Sequence, residues 1–368
     1  MRKKNTEIKK GSAVLRTLDR YFGIPIVWIL GVLRKKRNMQ LHQVNKIALL
    51  KINAIGDTVL LSAAIKDIRE KYPNAKITLF AGDLNYEIAG LLPGLDEIIK
   101  LPLRNPFKAI IYLKHFDRYD LWIDFGPWPR LNAILSYFAR ADIKLGFNTE
   151  GQYRHYLYDI SVQHSKEIHE CNNYKNLLKP IGVCGNNLPS LLIDDSLKQL
   201  DDVVIHMFPG GSKAYLKKWP DEKWIQLMNY FINDYEIYLT GAKRDRSEAL
   251  SLREKIENKK RIRVVAGEYS LKQTVELLKK SKLVISVDTG IMHIASALDC
   301  NLILLQGPTS ANRWGPLNHK SVTINKGLSC SPCLHLGFEN GCGHNKCMDA
   351  ISVEDVVKAK DTLWNMPV

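Results

Sequence analysis

The sequence predicts an α/β protein built from two Rossmann-like, doubly wound halves that face one another across a crevice. Three observations carry this reading. Apolar runs of strand length alternate with segments of helical periodicity in two successive series, which implies parallel sheets with helical crossovers. A polar, turn-rich stretch near residues 186–202 separates the series. Glycine-bearing or polar turns follow the predicted strands, where open α/β sheets hold ligands. At 368 residues the chain exceeds one ordinary core, and two domains of common size account for it.

The first half is expected over residues 41–190. Lys46 to Ile52 reads as a buried strand, Asn53 to Gly56 as a tight turn, and a helix opens at Asp57 with Val59, Leu60, Ala63, Ala64 and Ile68 on its apolar face. Strands follow at Lys76 to Ala81, Leu121 to Phe125 and Ile143 to Phe147, with helices at Leu84 to Leu92 and Trp128 to Ala139. The second half, residues 200–350, has strands at Val203 to Phe208, Glu236 to Thr240, Arg261 to Val265, Leu283 to Val287 and Asn301 to Leu305. Its helices lie near Asp221 to Asn233, Arg246 to Ile256, Leu271 to Lys280 and Gly290 to Ala297. A last helix, Val353 to Met366 within 351–368, starts from Ser352 with Asp355 at capping-box spacing.

The formal charge of +15 is concentrated at the start: residues 1–38 hold eleven Lys or Arg against Glu7 and Asp19. Beside them lies the uncharged run Tyr21 to Leu33, too short for the ~20 residues of a spanning helix. A signal peptide competes, but Arg34 to Arg37 follow the run at once and no small-residue cleavage site intervenes. The basic, amphipathic segment 1–40 is therefore expected to associate with an anionic membrane surface as a monotopic anchor; the alternative is a solvated basic tail with a short helix packed on the protein. A nucleic-acid partner is not indicated, because the basic excess does not spread across a folded face.

Four turns can carry chemistry. In Lys51 to Thr58, Gly56 permits a backbone conformation closed to other residues, and Asp57 is placed at a strand-to-helix turn. That carboxylate can accept the proton of an attacking hydroxyl, or serve purely as a helix cap. In Phe208 to Pro220, the small-residue turn around Gly210 and the cations Lys213, Lys217 and Lys218 suit a diphosphate; a solvated lysine cluster is the plain alternative. Gly241, in Leu239 to Arg246, either meets a nucleoside or simply forms a turn. In Ser286 to Leu298, Asp288, Thr289 and Gly290 stand where a strand hands over to a helix, and unpaired N–H groups there attract phosphate. His293 follows one turn later as a phosphate or turn-stabilising contact. Gly307 to Pro316 adds a further polar turn. Neither a dinucleotide fingerprint nor a P-loop is present.

Through Lys51–Thr58, Pro209–Pro220 and the DTGIMHIASAL segment, the chain resembles the heptosyltransferase-type glycosyltransferases of family 9 over roughly residues 45 to 350. The architecture resembles the GT-B fold of nucleotide-sugar glycosyltransferases. The resemblance implies a metal-independent, inverting transfer from an ADP-sugar to a hydroxyl of a growing glycolipid of lipopolysaccharide type, with no cofactor required. It implies that Asp57 is the general base, that Lys217 contacts the donor diphosphate, and that Asp288, Thr289, Gly290 and His293 form the donor-site signature. Lys243 stands where some relatives carry an acidic residue near the ribose, so nucleoside contacts from that loop are a departure. The implied location is the cytoplasmic face of a bacterial inner membrane. Two other readings share the architecture: a nucleotide-sugar epimerase or hydrolase, and a non-catalytic, membrane-tethered nucleotide-sugar-binding protein.

Cys330, Cys333, Cys342 and Cys347 form a C-x2-C pair followed by two further thiols in the loop 330–347. Such spacing is compatible with a structural, tetrahedral zinc, and equally with reduced thiols or a disulfide formed on isolation. Cys171, Cys184 and Cys300 are scattered, as expected of reduced core or near-surface thiols.

Overall fold

The structure, a computed structural model, describes residues 19–34, 43–194, 196–211, 213–335 and 341–365. Most of the basic start, Ser212 and the Met366 end of the expected last helix lie outside the described residues.

Two six-stranded parallel sheets form the framework. In chain order, the first half comprises α1 (Ile24–Leu33), β1 (Lys46–Lys51), α2 (Ile55–Lys71), β2 (Lys76–Ala81), α3 (Tyr86–Ala89), β3 (Glu97–Lys100), α4 (Pro106–Leu113), β4 (Tyr119–Asp124), α5 (Arg130–Phe138), β5 (Ala141–Asn148), β6 (Ile160–Gln163) and α6 (Glu170–Leu178). The second comprises β7 (Asp202–His206), α7 (Asp221–Phe231), β8 (Glu236–Leu239), α8 (Arg246–Arg253), β9 (Ile262–Val264), α9 (Leu271–Lys280), β10 (Leu283–Val287), α10 (Gly290–Ala297), β11 (Leu302–Leu305), α11 (Ala311–Trp314), β12 (Ser321–Ile324), α12 (Lys346–Asp349) and α13 (Val353–Trp364). Strand orders are β3-β2-β1-β4-β5-β6 and β12-β11-β10-β7-β8-β9.

Each order reverses beside the first strand of its half, so each sheet opens a crevice at its carboxyl edge. Central strands such as β10 are buried along their length and are legible as apolar runs. Three edge strands, β3, β6 and β12, have no counterpart in the sequence pattern. They are only four residues long and largely half-buried, so no continuous apolar run marks them.

The two halves share an apolar cluster. Val59 and Ala63 of α2 lie in one contiguous buried set with Met292 and Ala295 of α10, and α2 and α10 pack directly together. The crevice is therefore closed along this seam.

At the start of the chain, α1 has ten residues that are apolar on every face, and the cations of the expected anchor flank it in the sequence. Val27 is fully buried against Ala133, Leu157 and Tyr158. Gly31 permits the approach, because a methyl group there would come 2.7 Å from Cβ of Tyr156. Asp19 pairs with Arg130, and Arg34 Nη1 donates to Asp159 Oδ1 at 2.9 Å. Among the described residues, no helix is long and apolar enough to cross a membrane.

Candidate active site

Strand β1 ends in Lys51, the chain turns through Ala54 in the left-handed region (φ 65°), and α2 begins at Ile55. The strained residue is thus Ala54, not Gly56, which corrects the expectation that Gly56 is needed for its dihedrals. Gly56 is helical, and its lack of a side chain serves packing: a methyl group there would lie 2.5 Å from Cδ2 of His293.

Asp57 occupies the first turn of α2, where the helix dipole favours a carboxylate. It is not the N-cap of that helix; Ala54 is, and no side-chain cap bond is made. Its side chain is 28% exposed and accepts from Lys51 Nζ at 3.3 Å. Lys51 is buried. Its ammonium also donates to Tyr174 Oη at 2.7 Å and to the Phe125 carbonyl at 3.3 Å. One carboxylate oxygen is thereby held while the other has no hydrogen-bond partner among the described residues, a suitable geometry for a general base.

Across the seam, β10 delivers Asp288 and α10 starts at Gly290. Thr289 is the N-cap, and its Oγ1 accepts from the Ile291 N–H at 3.2 Å. Gly290 faces the Ile55–Gly56 turn so closely that a methyl group on it would lie 3.2 Å from the Gly56 nitrogen. Part of the helix N-terminus is therefore covered by the other half, whereas Thr289, Gly290 and Ile291 keep some exposure.

Asp288 is buried, and its Oδ2 accepts from Lys217 Nζ at 2.8 Å and from Thr309 Oγ1 at 2.7 Å. Burial pulls its pKa up, but the Lys217 ammonium and these hydrogen bonds outweigh it and hold the carboxyl below its ordinary value. Asp288 thus orients Lys217 and Thr309 from below. Lys217 makes one short bond and a longer one, 3.4 Å to the Asp288 carbonyl, and an ammonium has three donors.

His293 is nearly fully buried, and burial pushes its pKa down to about 4 against the opposing pull of Asp288 and Asp57. It is a neutral imidazole at neutral pH, packed on Gly56 and 6.5 Å from the Trp314 ring. His293 thus shapes the junction between the two halves. Its Nδ1 has no hydrogen-bond partner among the described residues.

Gly210 is exposed, and a methyl group on it would meet open space; Gly211 beside it takes φ 93°. Gly241 is fixed by packing, since a methyl group there would meet the Phe208 ring at 2.9 Å and Asp245 Cβ at 3.1 Å. Asp245 accepts from the Ala242 N–H at 2.8 Å, so its carboxylate is used in the turn.

Sequence reasoning misses the groups that support these side chains. Thr309 lies in the Gly307–Pro316 turn, which reads as polar but names no partner. Tyr174 and Phe125 belong to elements with no motif. A further bridge links the halves: Glu170 at the start of α6 accepts from His164 Nε2 at 3.0 Å and lies 3.5 Å from Arg313 Nη2. His169 Nε2 bonds the Gly315 carbonyl at 3.0 Å.

The cysteines are all free. Cys333 and Leu334 donate their backbone N–H groups to the Pro308 carbonyl at 2.9 and 2.8 Å, which seats this loop on the turn that carries Thr309. Burial pushes the Cys333 and Cys347 thiols up. Among the described residues, no group of three or more His, Cys, Asp or Glu is arranged to hold a metal ion.

Two parallel doubly wound sheets, joined where a carboxylate-bearing turn meets a helix N-terminus, form the GT-B fold. Residues 117–343 match the family described as glycosyltransferase family 9 (heptosyltransferase). The lipopolysaccharide heptosyltransferase 2 of Salmonella typhimurium is 25% identical over 313 residues, spanning 76% of this chain and 87% of that protein. The solved structure of Escherichia coli ADP-heptose lipopolysaccharide heptosyltransferase II superposes with a TM-score of 0.68 at 22% identity, covering 86% of this chain and 98% of that one. A family 9 glycosyltransferase from Veillonella parvula gives a TM-score of 0.73 at 21% identity, with 88% and 98% covered. The chain belongs to glycosyltransferase family 9.

Proposed function

We propose that the protein transfers a heptose from ADP-heptose, with inversion, onto a lipopolysaccharide core or related glycolipid. The observation that carries this is the seam itself: Gly56, beside Asp57, and Gly290, at the start of α10, lie directly against one another. The base candidate and the phosphate-binding helix end are thereby held on either side of one reacting centre. The acceptor hydroxyl oxygen attacks the anomeric carbon from the face opposite the diphosphate, and Asp57 takes its proton. The bond from the anomeric carbon to the diphosphate oxygen breaks, and ADP leaves with the electron pair. Lys217, oriented by Asp288, and the N–H groups at the start of α10 stabilise the charge that develops on the leaving diphosphate. Thr289, Gly290, Gly210 and Gly241 line the donor side of this arrangement. No cofactor enters the scheme.

The names of the relatives support the sugar, the nucleotide and the glycolipid acceptor. A peripheral position on the cytoplasmic face of the bacterial inner membrane fits the apolar, cation-flanked start of the chain. The domain division follows the sheets, with residues 41–190 as acceptor half and 200–350 as donor half. A structural zinc on Cys330, Cys333, Cys342 and Cys347 rests on their spacing alone. Metal analysis of the purified protein, with thermal unfolding before and after chelation, tests it.

The decisive test pairs Asp57→Ala with wild-type enzyme, ADP-heptose and a heptose-deficient core acceptor. Transfer is abolished in the variant while ADP-heptose binding is largely kept. Normal turnover in Asp57→Ala would overturn the assignment, and absence of heptosylated product from the wild type across ADP-, UDP- and GDP-sugars would overturn the function.

A further inference from the structure

The helical layer on one side of the first sheet leaves unusual side chains in water. Helices α4 and α1 both pack on α5. Ala109 and Leu113 of α4 bury with Leu135 of α5, and Val27 of α1 buries with Ala133 of α5. Helix α5 is therefore packed both by α4, in one buried set with Ala48, Leu50 and Trp122 of the sheet, and by α1. A helix apolar around its whole circumference is stable in water only when covered on all sides, yet α1 buries one face and presents Trp28, Val32 and Leu33 at 60%, 68% and 65% exposure. On the far flank of α5, α4 presents Phe107 at 78% exposure together with Ile111 and Tyr112.

Charge indicates what covers this layer. Exposed Arg104, Lys108 and Lys114 accompany the apolar residues of α4, and the α1 run is bracketed in sequence by Arg16, Arg20 and Arg34 to Arg37. Apolar and aromatic side chains rimmed by cations match the acyl boundary and anionic headgroups of a bilayer.

Orientation follows from two ion pairs. Asp19 pairs with Arg130, which opens α5 just beyond the carboxyl end of β4, whereas Arg34 pairs with Asp159, which precedes the amino end of β6. Helix α1 thus runs from the crevice edge of the sheet to its opposite edge, and Tyr21 and Phe22, both exposed, stand on the crevice side.

The geometry points to a two-legged docking face, α1 and α4 on either side of α5, by which the acceptor half lies on an anionic lipid bilayer with its crevice rim at the headgroups. This rests on the reading of a glycolipid acceptor and extends it: α4 is a second contact beside α1.

The test is co-sedimentation of the full chain with vesicles of phosphatidylethanolamine and phosphatidylglycerol, against vesicles of phosphatidylcholine alone. Wild type sediments with the anionic vesicles and much less with the neutral ones. The pairs Phe107→Ser with Ile111→Ser on α4, and Trp28→Ser with Val32→Ser on α1, each weaken partition by about tenfold or more, the loss expected from removing two exposed apolar anchors. Circular dichroism and thermal unfolding establish that each variant is folded. Unchanged partition of the folded α4 pair overturns the second contact, unchanged partition of the folded α1 pair overturns the first, and equal binding to neutral vesicles overturns the choice of an anionic surface. A concentration-dependent dimer that these same substitutions dissociate assigns the face to a second copy and also overturns the proposal. Vesicle binding uses neither donor nor acceptor, so failure of the transfer assay leaves this result readable by itself.

Discussion

Gly56 and His293 come from opposite halves of the protein and touch so closely that no side chain fits between them: a methyl group on Gly56 would stand 2.5 Å from the imidazole Cδ2. The contact places the Asp57 turn against the first turn of α10 and fixes the spacing between the proposed base and the proposed diphosphate site.

Gly56→Ala is accordingly expected to push the two elements apart. The buried ring has little freedom to yield, and such overpacking costs about 1–3 kcal/mol. Denaturant unfolding measures the stability loss, and transfer kinetics should show a fall in kcat, because a misplacement of about 1 Å costs on the order of a hundredfold in rate.

Lys51→Met removes the ammonium that holds Asp57 and leaves Tyr174 Oη and the Phe125 carbonyl without that donor. Each orphaned polar group costs about 1–3 kcal/mol. The expected kinetic signature is a fall in kcat with the donor KM nearly unchanged, since Lys51 contacts the proposed base and not the proposed donor side. Steady-state kinetics with ADP-heptose varied separates this from a loss of donor binding.

Lys217→Met should act differently, raising the donor KM as well as lowering kcat. It also leaves the buried Asp288 carboxylate with Thr309 as its remaining side-chain donor, and breaking a buried pair costs about 3–5 kcal/mol. Isothermal titration with ADP, beside thermal unfolding, reads both effects. Asp288→Asn in the Lys217→Met background is expected to recover part of the stability but not the donor affinity.

Acid should destabilise the fold before the carboxylates titrate. His293 and His206 are both pushed down to about 4 by burial, while in the unfolded chain they titrate near the ordinary histidine value of 6.5. Between these values the unfolded state binds more protons, so stability falls as pH drops from about 6.5 towards about 4, by on the order of 3 kcal/mol for each histidine. Asp288 and Glu170, held below their ordinary values, add a second loss as pH falls further through their native values. Denaturant midpoints measured from about pH 8 to about pH 4 check the first slope; His206→Asn should flatten part of it.

Much of the framework is legible in the sequence. Leu283 to Val287, Leu271 to Lys280 and Gly290 to Ala297 are found at the expected bounds, because buried central strands and capped helices must write their environment into continuous apolar runs and periodicity. The edge strands β3, β6 and β12 escape because a strand paired on one side needs no such run. The turn residues Asp57, Lys217 and Asp288 are recognisable as types in strand-end turns, and their family pattern singles them out.

The sequence by itself determined the two doubly wound halves, the turns that carry charge, and the apolar start flanked by cations. Only the tertiary structure decided that Gly56 is small for the sake of His293, that Ala54 bears the strained dihedral, that Asp288 aims Lys217, and that Lys51, itself bonded to Tyr174, holds Asp57. The physical reason is that periodicity reports whether a residue is buried, whereas a contact between residues 56 and 293 depends on how two separately folded sheets pack, and no local pattern encodes that distance.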